Sequence, residues 1–342
     1  MQARINILKH PSGIELQTPL LVSSFSSKGF RFIGDEEKLK SESVELLKQT
    51  SEYLSETVLL SAYDLYHYFP KLKKLRDFKF FPKMVIIDSG GYETLEDYDF
   101  SEGYKHPIIK KDWDSNLYEN ILDNWPEYYP AIIVSYDNGK ERRKSLIHQI
   151  ERASILFRKH PNQLCDFLIK PEKKGDSLDI KLIVDNVSLL KKFNIIGLTE
   201  KELGDSIVQR MHNIKIIRTA LDKVDCLSPI HIFGNLDPFT SILYFISGAE
   251  IFDGLTWLRF AFYEGKSIYL QNLDGLKNRI HEKDYLNYRT SLYENIIYMR
   301  NLQSEMKSFV KAYSESPGEK AFDSFRFISQ DVFNAWKAMN SK

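Results

Sequence analysis

Eight short apolar runs, each closed by Gly, Asp, Asn or Ser and each followed by a helical pattern, constrain this chain more than any other feature. They are PLLVSS from Pro19, TVLLSAYD from Thr57, MVIIDSGG from Met84, AIIVSYDNG from Ala131, DFLIKP from Asp166, FNIIGLT from Phe193, PIHIFGN from Pro229 and AEIFDG from Ala249. Apolar runs without polar alternation suit strands buried on both faces, as in a parallel sheet. The stretches between them, such as Glu37 to Leu54 and Lys140 to Lys159, have amphipathic helical spacing, and Asp237-Pro238 reads as an N-cap followed by a first-turn proline. Eight strand–helix units over roughly 240 residues predict an α/β fold, a (β/α)8 TIM barrel. An open doubly wound sheet is the competing arrangement. It is disfavoured because polar punctuation follows every strand rather than gathering at one crossover.

Residues 1–18 read as an N-terminal β-hairpin closing the barrel floor, residues 19–265 as the barrel and residues 266–342 as a C-terminal helical extension. Within that extension, Lys266 to Glu282 reads as irregular, Tyr288 to Ser314 as one long helix and Phe322 to Ala338 as a second. The 47 basic and 47 acidic residues balance, which argues against attachment to nucleic acid by net charge alone. Two cysteines, Cys165 and Cys226, exclude a disulfide framework or a four-cysteine zinc site and point to a reducing, cytoplasmic setting. No stretch approaches a membrane span, so no membrane partner is expected.

In a barrel of this kind the chemistry lies at the carboxyl ends of the strands. Those ends carry Asp88, Ser89 and Tyr92 after strand three, Asp137 after strand four, Lys170 on five, Gly197 on six, Gly234 on seven and Asp253 on eight. Asp88 and Asp253 lie three steps apart around the ring, so their carboxylates can face each other across the mouth. Such a pair suits chemistry at an anomeric carbon, one group attacking or stabilising the cationic centre and the other moving protons. A lone strand-end Asp is also a common helix cap or loop hydrogen-bonder. The glycines after Ser89, Gly90 among them, read as room for a flat ligand against the backbone. The residues alone thus give a barrel enzyme with a carboxylate pair.

The segment IIDSGGYE (Ile86 to Glu93) resembles the Asp-Ser-Gly-Gly-aromatic motif of the tRNA-guanine transglycosylases. SGAEIFDGLTWLR (Ser247 to Arg259) is similar to the stretch that carries that family's nucleophile and an RNA-contacting arginine. Weaker likenesses follow in the same order: HPSGIELQTPLLV, SYDN, IIGLT, HIFGNLDP and the helix ENIIYMRNLQSEMKSFVKAY. The resemblance implies a pentosyltransferase that exchanges guanine in a polynucleotide for a 7-deazaguanine, as in queuosine formation. Asp253 would attack C1′ and Asp88 would be the general acid/base. Ser89, Gly90, Tyr92, Asp137, Lys170, Gly197, Leu198, Phe233 and Gly234 would hold the purine or 7-deazapurine base. In detail, Tyr92 would stack on it, Asp137 would accept from its N1–H and amine, and Gly197 and Leu198 would offer backbone N–H groups. Arg259 and Trp257 would meet nucleic acid.

The chain departs from that family at three places. Its zinc site of three cysteines and a histidine has no counterpart, because no cysteine follows Cys226 and His281 stands alone. No metal and no cofactor are therefore expected. A glutamine on strand five is replaced by the Leu168-Ile169-Lys170-Pro171 segment, and the Pro-Thr-Arg after the nucleophile by Trp257-Leu258-Arg259. These changes leave DNA and tRNA both open as substrate, and they leave a second copy or a partner protein open. Lys266, Lys277, Arg279, Lys283 and Arg289, interleaved with Tyr269, Tyr285 and Tyr288, are candidate backbone contacts or a solvated helix face. The rival readings are a non-catalytic subunit of a transglycosylase and a barrel glycosyl hydrolase or transferase for free nucleosides.

Overall fold

The computed structural model describes the chain apart from positions 29, 31, 34–39, 55, 69–81, 95–110, 138–143, 174, 278–283 and 342. All eight expected strands form. We label them β1 (Leu20–Phe25), β2 (Thr57–Ser61), β3 (Met84–Asp88), β4 (Ala131–Val134), β5 (Leu164–Ile169), β6 (Ile195–Thr199), β7 (Ile230–Phe233) and β8 (Ile251–Gly254). Every neighbouring pair is parallel, and β8 pairs with β1 to close the ring. This is the (β/α)8 barrel.

Alternation along each strand divides the side chains into two sets. Val85, Ile87, Phe167, Ile196, Ile232 and Phe252 point outward into the helix layer. Leu20, Val22, Leu59, Met84, Ile86, Ile132, Val134, Leu164, Leu168, Ile195 and Ile251 fill the interior. Leu8 and Leu16, from the hairpin of Ile7–Lys9 and Glu15–Gln17, belong to the same interior cluster, so the hairpin closes the floor. The largely apolar interior explains why the barrel is a packed core and not a pore.

Helix ends follow the expected chemistry where the sequence supplies it. The helix Pro238–Ser247 begins at Asp237, whose carboxylate accepts from Thr240 N at 3.0 Å. It ends at Gly248 (φ 115°), and a side chain there would strike Arg218 Cγ at 2.6 Å. Elsewhere the boundaries move. The described helices start at Glu42 and Leu146, later than the spacing predicts, and 37–39 and 140–143 lie outside the described residues. Lys266 to Glu282 is not wholly irregular, because Ala261–Tyr263 and Lys266–Ile268 form a hairpin followed by the helix Leu270–Leu276. Phe322 falls in a 3₁₀ turn, Glu319–Ser324, and the last helix is Ser329–Asn340. The long helix spans Asp284–Glu315 and packs on the hairpin after β8.

Candidate active site

The structure brings Asp253 into a cradle of two hydrogen-bond donors and an imidazole, from β1, the turn after β7 and β7 itself. Ser24 Oγ donates to its Oδ2 at 2.7 Å, and Gly234 N donates to Oδ1 at 3.2 Å. His231 Nε2 lies 3.2 Å from the same Oδ1, at ion-pair range but without hydrogen-bond alignment. Gly234 has φ 80°, the left-handed conformation that turns its N–H back toward β8 and that only glycine adopts freely. The cradle is nearly dry, with Asp253 5% exposed.

Beneath it, His231 Nδ1 is 2.7 Å from Asp166 Oδ2, and both residues are fully buried. Burial alone would lower the imidazole pKa, but the adjacent Asp166 and Asp253 carboxylates overcome it and raise it to about 9. His231 and Asp166 were not among the residues expected at the site. Their signal lies in the sequence nonetheless: an ionisable residue at the inward position of an otherwise apolar strand, in IHIF and LCDFLI. Because β5 begins at Leu164, Asp166 is its third residue and faces the interior, not its first.

Across the mouth, Asp88 ends β3 and receives a long 3.4 Å contact from Gly90 N. Burial pushes its carboxyl well above the usual range, and the neighbouring Asp137, Glu93 and Asp253 charges push it further. Asp137 is held by Ser89 Oγ on one oxygen and by Lys170 Nζ at 3.4 Å on the other. Lys170 also donates to Thr199 Oγ1 at 2.5 Å and meets Glu202 at 3.3 Å, so it is a buried strut between two acids. Two further acids, Glu93 and Asp64, extend the cluster from Asp88. Glu93 accepts from Ser26 Oγ, and Asp64 accepts from Ser27 N and Oγ at 2.6 and 2.5 Å. Burial raises both of these acids as well, and the Glu93 charge adds to the rise at Asp64.

Several residues expected at a ligand surface do other work. A side chain on Gly90 would strike Trp113 Nε1 and Tyr63 Cβ at 2.8 Å, and one on Gly91 would strike Asp137 Oδ1 at 2.7 Å. These glycines make room for protein side chains, not for a flat ligand. The turn is clamped further where Trp113 Nε1 donates to Ser89 O at 2.9 Å. Ser89 itself is fully buried and serves Asp137.

Gly197 lies in mid-strand under the Phe233 ring, 2.7 Å from where a Cβ would sit, and Leu198 points outward into the helix layer. Both are ladder positions paired with β5 and β7, not free N–H donors at the rim. Phe233 is an apolar wall, but for His231, with ring centroids 3.9 Å apart. Tyr92 is half-buried and already carries the Lys28 ammonium 4.3 Å over its ring.

Trp257 is fully buried, edge-on to Phe25 and donating to Ser24 O at 3.2 Å, so it cannot meet nucleic acid. Arg259 turns inward, donating to Lys28 O at 3.4 Å beside the Phe30 ring. Lys277 is paired with Glu294 at 2.7 Å. Tyr269 is exposed, whereas the Tyr288 hydroxyl donates to Leu258 O. Arg279, His281 and Lys283 lie outside the described residues.

Among the described residues no group of three or more His, Cys, Asp or Glu is arranged to hold a metal ion, and no helix is long and apolar enough to cross a membrane. No protein-family model matches the chain, and no curated protein matches it. What the mouth does must therefore be argued from its own geometry.

Proposed function

We propose that the chain is a pentosyltransferase that exchanges guanine in DNA or tRNA for a 7-deazaguanine through a covalent glycosyl-aspartate. One observation carries this reading: the two mouth carboxylates stand in opposite environments. Asp253 faces hydrogen-bond donors from β1 and the turn after β7 and the imidazole of His231 from β7, whereas Asp88 faces burial and other carboxylates. Acids in unlike surroundings are how one site holds a nucleophile and a proton donor together.

In the first half-reaction an Asp253 oxygen bonds to C1′ as the C1′–N9 bond of guanine breaks. Asp88 gives its proton to the departing base, which leaves neutral. In the second, the incoming base loses its N9 proton to the Asp88 carboxylate and attacks C1′, and Asp253 leaves as a carboxylate. Asp137, fixed by Ser89 and Lys170, would accept from the N1–H and amine of the base. Tyr92 would stack on the base. A base inside a helix must be extruded for this attack, so the enzyme would grip backbone and shape.

Labelled guanine incubated with the protein and either tRNA or duplex DNA tests the proposal, with adducts trapped on a denaturing gel. Label incorporation and a polymer–protein adduct with one polymer are expected. Neither with both polymers overturns it; exchange with free guanosine alone would favour the small-nucleoside reading.

A further inference from the structure

Neither half-reaction uses His231 or Asp166, yet these two ionisable groups occupy the middle of a barrel whose other interior residues are largely apolar. Keeping them there is costly unless the charges compensate one another. The charged groups facing the imidazole are Asp166 from β5 at 2.7 Å and Asp253 from β8 at 3.2 Å. Phe233 covers the ring from its own strand, and Ser24 from β1 reaches Asp253 rather than the ring. The nearby cation Lys170 is committed to Asp137 and Glu202.

Two details make this more than a salt bridge. Asp166 Oδ1 has no hydrogen-bond partner among the described residues although it is fully buried. The large majority of buried side-chain polar atoms have a partner, so an orphaned oxygen at the barrel centre calls for an explanation. In addition, a side chain on Gly197 would lie 2.8 Å from that oxygen and 2.7 Å from Phe233. Glycine is what lets the ring close over the pair.

We propose that Asp166 and His231 form a charge-compensating dyad for the nucleophile. The proton rests on His231 while Asp253 is a carboxylate and moves along the 2.7 Å Nδ1···Oδ2 bond to Asp166 while Asp253 is esterified. This rests on Asp253 being the nucleophile of the exchange. No atom enters or leaves the dyad. As an Asp253 oxygen bonds to C1′ its negative charge disappears, and the imidazolium loses the partner that sustained it. The proton then passes from Nδ1 to Asp166 Oδ2, leaving neutral imidazole over a neutral acid. When the second base displaces Asp253, the carboxylate reappears and the proton returns to Nδ1. Burial, which raises the proton affinity of Asp166, makes that acceptor competent. The dyad spares the dry interior a bare cation in the covalent intermediate. Both residues are positioning residues, since neither touches the reacting carbon.

The test is a side-chain ¹⁵N NMR titration of His231 in the wild-type chain and in Asp253→Asn, a neutral stand-in for the ester. An imidazolium persisting through neutral pH is expected in the wild type. Its midpoint should fall by at least about one pH unit, tenfold in proton affinity, in the variant. An unchanged midpoint overturns the coupling, whether or not the protein proves to exchange bases. Asp166→Asn should leave His231 neutral at pH 7 and slow adduct formation about ten- to a hundredfold with KM for the polymer unchanged. A wild-type rate and pH profile in that variant would also overturn the inference. No adduct from the wild-type chain would instead sink the base-exchange reading, while the titration still decides the dyad.

Discussion

At the floor of the barrel Arg218 is enclosed by acceptors, with Asp222 at 3.0 Å, Ser228 O at 2.8 Å and Glu250 at 3.8 Å. Glu250 in turn receives Asn6 Nδ2 at 2.7 Å and Ile230 N at 3.2 Å, and Arg4 grips Asp222 through two nitrogens at 2.6 and 2.7 Å. At the mouth the ratio reverses: Asp137 and Glu202 share Lys170, Lys28 acts on Glu93, and Asp64 and Asp88 add two more buried acids. Glu250 at the floor is met by arginine, whereas Asp88 at the mouth is met by other carboxylates. Charge matched to charge at the floor is a means of joining elements. Charge left in excess at the mouth is tolerated only where something else gains from it, which is how functional sites differ from scaffolds.

The largest effect expected at the mouth is from Asp253→Ala, which should abolish the trapped adduct and cut exchange by at least about a thousandfold, roughly 4 kcal/mol. Next, Asp88→Asn should slow adduct formation by about 10²–10⁴. Thermal unfolding of the same variant should rise, because an acid whose folded pKa lies above its unfolded one destabilises the fold at neutral pH. A lower Tm would break the contrast drawn between the two ends.

At the floor, Arg218→Ala should cost about 3–5 kcal/mol in urea unfolding by removing the nearer of the two arginines that offset buried Glu250, with activity per folded molecule retained. Burial already holds Glu250 near 7 despite its arginines, so removing one favours its neutral form. Between the two ends, His231 gives a pH signature. Its folded pKa, about 9, exceeds the unfolded value of about 6.5, so its contribution is complete below pH 6.5 and is lost as pH rises through 9. The loss should be about 3 kcal/mol and vanish in His231→Gln, read from urea midpoints across that window. The smallest effect is at Trp113→Phe. Loss of its bond to Ser89 O should cost about 1 kcal/mol and loosen the turn that carries Asp88.

All eight strands were legible in the sequence because each is a short, largely apolar run between polar stops, a clear pattern for a buried parallel strand. Asp88, Asp137 and Asp253 were legible for the same reason, since strand ends can be read from where the apolar run stops. His231 and Asp166 were not, because a search of strand ends passes over ionisable residues inside the run. Placing the start of β5 two residues late also took Asp166 out of the interior. The glycines after Ser89 show a different limit. A missing side chain declares that space is needed, but whether Tyr63, Trp113 and Asp137 or a ligand fills it depends on residues distant in sequence. Trp257 fails likewise, its placement against Phe25 and Ser24 being set by the closing of β8 on β1.

That closing has a temporal consequence. Ser24 and Asp253, which share a hydrogen bond, are 229 positions apart, and Asn6 and Glu250, which tie the floor, are 244 apart. As the chain leaves the ribosome, β1 waits with an open edge until β8 is made, and every contact that orients the candidate nucleophile arrives in the last steps of assembly. Such distant closures make folding slow. They also mean that a partly synthesised chain, however much of its sheet has formed, has no cradle in which an aspartate could attack anything.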